Sequence, residues 1–204
     1  MKKVIILALI CFALSVPGPA FCESDETQAT WVTNINLFLG SKFLDKDDWE
    51  PVEKQIEGGI LFDIRRDNWW LSIAADLLYS RDDADITVDV LSIGTVNANA
   101  ESRTFEVNVG VRKVWENFKY VRPFVGGGPA FIKVELEAEQ SGVSISDDDT
   151  AFGVWIDAGV YVTLAKHLNL GIDARWSKAT RVNLFNAEGE AGGWHIGALI
   201  GYHW

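Results

Sequence analysis

Ser177 stands near the end of one patterned segment and His195 near the start of the next. A serine beside a histidine is the minimal pair for acyl transfer, in which the imidazole takes the hydroxyl proton and a carboxylate holds the imidazole in place. Asp173 and Glu190 are the carboxylates nearest in sequence for that third role. The signal is weak. Only three histidines occur in the chain, serine is common, and Ser177 and His195 both fall on the polar parity of their segments, turned away from any apolar substrate. The expectation is no catalytic residue and no enzyme.

A second set of groups shares that polar parity: Glu57, Asp63, Arg65, Asp76, Glu106, Arg112, Lys133, Glu135, Asp157, Asp173, Arg175, His195 and His203. Both signs are present. If these side chains converge in one interior they must pair, because a buried charge without a partner is costly. The reading is a neutralising charge network, with a narrow polar path for small solutes as the alternative. Three acidic clusters, Asp45/Asp47/Asp48, Asp82/Asp83/Asp85 and Asp147/Asp148/Asp149, carry charge suited to Ca²⁺ or Mg²⁺ but lack the glycine and terminal glutamate of an EF-hand loop. They read as solvated acids. Gly126, Gly127 and Gly128 precede no helical pattern and are no phosphate loop; they suit a strand that bends or packs closely. No metal ligand and no cofactor is expected.

The elements that would position these groups are strands. Eight segments alternate apolar and polar residues. In "WVTNINLFLGSKF", Trp31, Ile35, Leu37, Leu39 and Phe43 oppose Asn34, Asn36, Gly40 and Lys42. The same holds for Ile56 to Ile64 against Glu57 to Arg65, for Trp69 to Tyr79 against Ser72 to Ser80, and for Phe105 to Trp115 against Thr104 to Arg112. The fifth segment, "YVRPFVGGGPAFIKVEL", sets Phe124, Ala130, Ile132, Val134 and Leu136 against Gly127, Lys133 and Glu135. The sixth sets Phe152 to Val162 against Gly153 to Thr163, the seventh Leu168 to Trp176 against Asn169 to Ser177, and the eighth Trp194 to Trp204 against His195 to His203. Lys113 and Arg122 alone interrupt the apolar faces, near segment ends where long side chains reach an interface.

Aromatic pairs frame these faces. Trp69 with Tyr79, Phe105 with Trp115 and Trp194 with Trp204 are ten residues apart. In tilted strands such a span is about 25 Å tall, the height of the apolar band of a transmembrane barrel. Trp176 and Tyr202 add to the same girdles. Links are alternately long (44–54, 81–102, 137–149, 178–192) and short (66–68, 116–119, 165–166). The pattern predicts an all-β, eight-stranded antiparallel up-and-down barrel in which the first strand pairs the last, since a bilayer leaves no open sheet edge satisfied. The stretches around Gly94 and around Ser141–Gly142 keep alternating, which predicts hairpins above the membrane. A water-soluble sandwich is the competing architecture.

Residues 1–22 carry Lys2 and Lys3, an apolar run from Val4 to Val16, then Pro17, Gly18, Pro19 and Ala20. This reads as a secretory signal, cleaved after Ala20 or Cys22, leaving 23–204 as one domain. Both cysteines, Cys11 and Cys22, lie there, so no disulfide framework is expected. The net charge of −11 lacks the basic footprint of a nucleic-acid binder.

The leader, the eight segments, "RPFVGGGPAF" and the terminal "GYHW" resemble the small outer-membrane β-barrel proteins, the group that includes the OmpA transmembrane domain and OmpX-like proteins. The resemblance implies the outer membrane of a Gram-negative bacterium, contact with its lipids and lipopolysaccharide, and hairpins that meet an extracellular protein partner. It implies that Trp204 with Tyr202 is the signal read by the barrel-assembly machinery; unlike full-length OmpA-type proteins, the sequence stops at the last strand, and no peptidoglycan-binding domain is expected. A lipid A deacylase of the PagL type would be the matching barrel enzyme, but its His-x-Ser-Asn pattern is missing: "RWSKAT" has Trp176 where the histidine would stand.

Overall fold

The computed structural model describes residues 30–204 apart from 91–93, 117, 119, 141–142 and 186. The leader and both cysteines lie outside the described residues. The chain folds as β1 (Trp31–Phe43), α1 (Lys46–Trp49), β2 (Lys54–Arg66), β3 (Ser72–Val90), β4 (Gly94–Val114), β5 (Val121–Gln140), β6 (Val143–Leu164), β7 (Leu168–Ala179), β8 (Arg181–Leu184), β9 (Ala187–Glu190) and β10 (Gly193–His203). Eight of these strands close into a barrel in the order β1-β10-β7-β6-β5-β4-β3-β2, every neighbour antiparallel. β8 and β9 form a separate two-stranded sheet.

Closure follows from the polarity of the outer face. Leu37, Leu39, Ile73, Leu77, Val109, Val154, Ile172 and Ile196 project outward and are exposed. A continuous apolar exterior of this kind fits lipid, and there every backbone group must be paired within the sheet. β1 and β10 accordingly pair from Asn34↔His203 to Phe43↔Trp194. The seam is finished by reciprocal bonds: Thr33 N–H donates to Trp204 O (2.8 Å) and Trp204 N–H to Thr33 O (3.1 Å).

Turns at one end are tight. Ala165 and Lys166 both have positive φ (48° and 72°), the two-residue geometry that suits a hairpin. At the other end β3 and β4 pair as far as Val90↔Gly94, and β5 and β6 as far as Gln140↔Val143. Since β4 also pairs β5 up to Asn99↔Glu139, these four strands rise beyond the barrel as one sheet, extending the two predicted hairpins.

The parity of seven strands is as the sequence predicts. β5 differs. Phe124, Ala130, Ile132 and Val134 point inward and are fully buried, while Val125 and Phe131 face out. Phe131 packs edge-on against Phe152 of β6, 5.1 Å between centroids, as part of the outer girdle. The inward apolar residues are received at two levels: Phe124 packs on Tyr161 and into the space over Gly159, and Ala130, Ile132 and Val134 join the apolar cluster at the opposite mouth.

Candidate functional site in the barrel lumen

The inward side chains form four layers. At the tight-turn end is an amide layer: Asn34 Nδ2 donates to Asp63 Oδ1 (3.0 Å), and Asn169 Nδ2 reaches Asn34 and Asn36 Oδ1 (3.2 Å each). His203 sits beside it, its Nδ1 on Asn34 Oδ1 (2.9 Å) and its Nε2 accepting from Arg122 (2.9 Å). This fixes a neutral Nδ1–H tautomer. Arg122 thus belongs to the interior rather than to the lipid-facing side, a consequence of the β5 parity. Arg65 points into the same end and pairs with Glu116 (2.6 Å).

The middle layer is ionic. Arg112 Nη2 bonds Asp76 (2.8 Å) and Asp157 (2.6 Å), and Arg175 Nη2 bonds Asp76 (2.7 Å) and reaches Asp157 at 3.4 Å. Asp63 and Asp173 complete it at 3.8 Å from Arg112 and Arg175 respectively. Two guanidinium forks shared among four carboxylates from β2, β3, β6 and β7 lock five strands together, because each Arg presents several donors in a fixed plane. Trp155 lies over both, its ring centroid 5.7 Å from Arg112 Cζ and 4.9 Å from Arg175 Cζ.

Above this stands the layer that brings together the serine and histidine singled out in the sequence. Ser177 Oγ and His195 Nε2 are 3.0 Å apart, and both oxygens of Glu57 lie 2.9 Å from His195 Nδ1. Serine, imidazole and carboxylate are therefore joined as in a hydrolytic triad, with Glu57 of β2 in the third position instead of Asp173 or Glu190. All three side chains are buried, Ser177 to 1% exposure. Lys42 bonds Glu106 and also the Ala191 carbonyl (3.2 Å), and Glu106 Oε1 is 3.7 Å from His195 Nε2. Gln55 binds Ser80, Ser102 and Thr104 alongside.

The fourth layer closes the mouth. Leu44, Trp49, Ile132, Val134, Ala151, Val182, Leu184 and Ala191 make a buried apolar cap. Trp49 Nε1 donates to Glu190 O (2.7 Å), tying the α1 loop to the β8–β9 hairpin. Two of the three acidic clusters, Asp45/Asp47/Asp48 and Asp147/Asp148/Asp149, anchor this lid. Asp48, Asp149 and Asp147 accept the backbone N–H of Glu190, Asn183 and Phe185 at 2.8–2.9 Å, and Asp45 caps α1 through Asp47 N. Their charge is held by the loop backbone, where the sequence reading left it to solvent.

Of the network residues read from sequence, Glu57, Asp63, Asp76, Glu106, Arg112, Asp157, Asp173 and Arg175 are buried in the lumen and Arg65 lies at its lower rim. Lys133 is a correction. It lies on the outer face of β5, half exposed, and pairs with Asp148 (2.9 Å), because the strand has the opposite parity to that predicted. Glu135 follows it outward, toward Arg103. Lys42, Asn34, Asn36, Gln55 and Asn169 were missed as network members, although polar parity pointed to several of them. The girdle residues Trp69, Tyr79, Phe105, Trp115, Trp194, Tyr202 and Trp204 all face outward and are exposed, and Trp176 is partly covered.

No curated protein matches the sequence. Solved structures do match in fold. Ail, the attachment invasion locus protein of Yersinia pestis, is 16% identical over 85% of this chain and 98% of its own, with a TM-score of 0.53. Neisserial surface protein A is 11% identical over 85% and 97%, with a TM-score of 0.56. The outer membrane protein OprG of Pseudomonas aeruginosa is 12% identical over 86% and 97%, with a TM-score of 0.55. All are outer-membrane barrels, as the lipid-facing exterior and double girdle of this chain require. Residues 5–203 match the outer membrane protein beta-barrel domain, and the chain belongs to that family of Gram-negative outer-membrane proteins.

Proposed function

We propose that this barrel is a closed scaffold that presents its extramembrane sheet to the cell exterior, with a structural or surface-interaction role and no catalysis. The observation that carries the reading is the double closure of the lumen, by the shared Arg112–Arg175 ion-pair layer and by the apolar cap above it. An eight-stranded interior is just wide enough for its own side chains. The buried Ser177 hydroxyl, enclosed between these two layers, supports a packing role over an acyl-transfer role.

The working surface is the raised sheet of β3–β6. Just beyond the girdle residues Tyr79, Phe105 and Phe131, its outer side carries Arg81, Arg103 and Lys133, each paired with Glu101, Glu135, Glu137 or Asp148. Cations at this height suit anionic lipopolysaccharide headgroups. The printed name of Ail attributes attachment to that protein, and one of its structures holds the heparin analogue sucrose octasulfate. The present chain carries a net charge of −11 and acidic hairpins, so its expected protein partner presents a basic face. Tyr202 and Trp204 are the proposed signal to the barrel-assembly machinery.

The second reading is a narrow pore. Asp76 Oδ1, Asp157 Oδ1 and both Asp173 oxygens find no hydrogen-bond partner among the described residues, which favours water in the middle layer. Refolded protein run with and without boiling, followed by single-channel recording, tests both. A heat-sensitive mobility shift with no conductance is expected; discrete conductance steps that change when Arg112 is neutralised would establish the pore. Trimming 86–98 and 138–145 is expected to abolish cell-surface binding while the heat-sensitive shift remains.

A further inference from the structure

The layer beneath the cap brings together an imidazole and two carboxylates from three strands. One ligand atom from each of Glu57, Glu106 and His195 lies within 4.8 Å of the others, and all three residues are buried. We propose that this cluster binds a divalent transition-metal ion of the zinc class, with His195 Nε2 and Glu106 as ligands and Glu57 orienting the imidazole.

Three features point to a cation here. His195 Nδ1 faces both oxygens of Glu57 at 2.9 Å, so its proton is committed there and Nε2 is the acceptor, engaged by the Ser177 hydroxyl at 3.0 Å until an ion displaces it. A carboxylate behind the imidazole is the usual support of a metal-bound histidine, fixing its tautomer and raising its basicity. On the side away from Glu57, Glu106 Oε1 lies 3.7 Å from Nε2. Two ligands on a tetrahedral zinc ion, with bonds of about 2.0–2.2 Å, stand about 3.3–3.6 Å apart, so a shift of tenths of an ångström completes the pair. Ser177 Oγ, 3.0 Å from Nε2, edges the same space.

The second feature is an orphan. Glu106 Oε2 is buried and has no hydrogen-bond partner among the described residues. The third is the charge balance. Among the described residues the buried ionic side chains are Glu57, Asp63, Asp76, Glu106, Asp157 and Asp173 against Lys42, Arg112 and Arg175. At the site itself Glu57 and Glu106 face one permanent cation, Lys42, so the layer has room for added positive charge. A nitrogen and carboxylate donor set selects a borderline metal such as Zn²⁺ over Ca²⁺ or Mg²⁺.

Lys42 sets the affinity. Its ammonium rests on Glu106 and the Ala191 carbonyl, so an incoming ion competes with a cation the chain already supplies. Removing Lys42 strengthens metal binding, whereas in a purely structural network it would only weaken the fold.

The test uses the full barrel refolded in detergent, its folded state checked by heat-sensitive mobility, titrated with Zn²⁺ and with Co²⁺ as a visible-absorbing probe. One saturable equivalent is expected, with affinity at least tenfold lower in His195→Gln and Glu106→Gln, higher in Lys42→Met, and unchanged in Asp147→Asn/Asp148→Asn. In the wild-type protein, Zn²⁺ is expected to shift the ¹⁵N resonance of His195 Nε2 and leave His167 and His203 in place; this readout stands even if a variant fails to fold. Absence of saturable binding, an unmoved His195 resonance, or binding lost only with the loop aspartates would overturn the site.

Discussion

Arg112 is the residue on which the lumen turns. It contacts Asp76 and Asp157, approaches Asp63, and lies against the rings of Phe124 and Trp155. Replacing it by Met leaves carboxylates buried without a counter-charge, and breaking a buried pair in this way costs about 3–5 kcal/mol. Urea unfolding of the refolded barrel is expected to show that loss for Arg112→Met, while Lys133→Met, exposed on the outer face, leaves the transition where it is. Asp149 offers a different test. Its carboxylate is held below the usual carboxylate range by the N–H groups of Asn183 and Thr150. A group depressed on folding favours the folded lid above its unfolded range and ceases to do so as pH falls through the lowered value. The Asn183 amide resonance is therefore expected to titrate only below the ordinary aspartate range, with that step absent in Asp149→Asn.

At the scale of elements, inward aromatic rings are seated on glycines of neighbouring strands. A Cβ at Gly159 would stand 2.4 Å from Phe124 Cζ and 2.4 Å from Ile172 O. Gly159→Val is expected to abolish the heat-sensitive folded form, whereas Ala158→Val, one residue away on the lipid side, leaves it intact. The β5 strand owes its reversed parity to this packing: Phe124 needs the space over Gly159, and Ile132 and Val134 need the cap. The raised sheet and the lid are likewise one assembly, since Asp147 and Asp149 of β6 hold the β8–β9 hairpin by its backbone.

The whole molecule is a cylinder whose outside is solvated by lipid and whose inside is filled from bottom to top by amides, ion pairs, a histidine–carboxylate layer and an apolar cap. Its first and last barrel strands meet at the Thr33–Trp204 seam, with Tyr202 stacked on His167 at 5.2 Å and Trp204 beside it. Trp204→Ala keeps the seam's backbone bonds. It is expected to refold in lipid with ordinary yield and, on the proposed role of this side chain as an assembly signal, to assemble poorly in cells, as pulse-chase heat mobility would show.

Alternation by itself determined the eight barrel strands, the two raised hairpins and the inward face of seven strands, because in a barrel wall one parity must meet lipid and a two-residue period leaves no other choice; the β8–β9 hairpin, in the 178–192 link, carries no such signal. Where both parities were apolar, as around Phe124, Phe131 and Ile132, the period could not tell inside from outside, and Lys133 and Arg122 were placed on the wrong sides with it. Partner choice was equally out of reach. Glu57 and His195 are separated by 138 positions, and Lys42 and Glu106 by 64. Only the register of β1 against β2 and β10, and the stagger of the closed barrel, brought these four side chains to one level, because a lumen contact is set by height along the axis and not by distance along the chain.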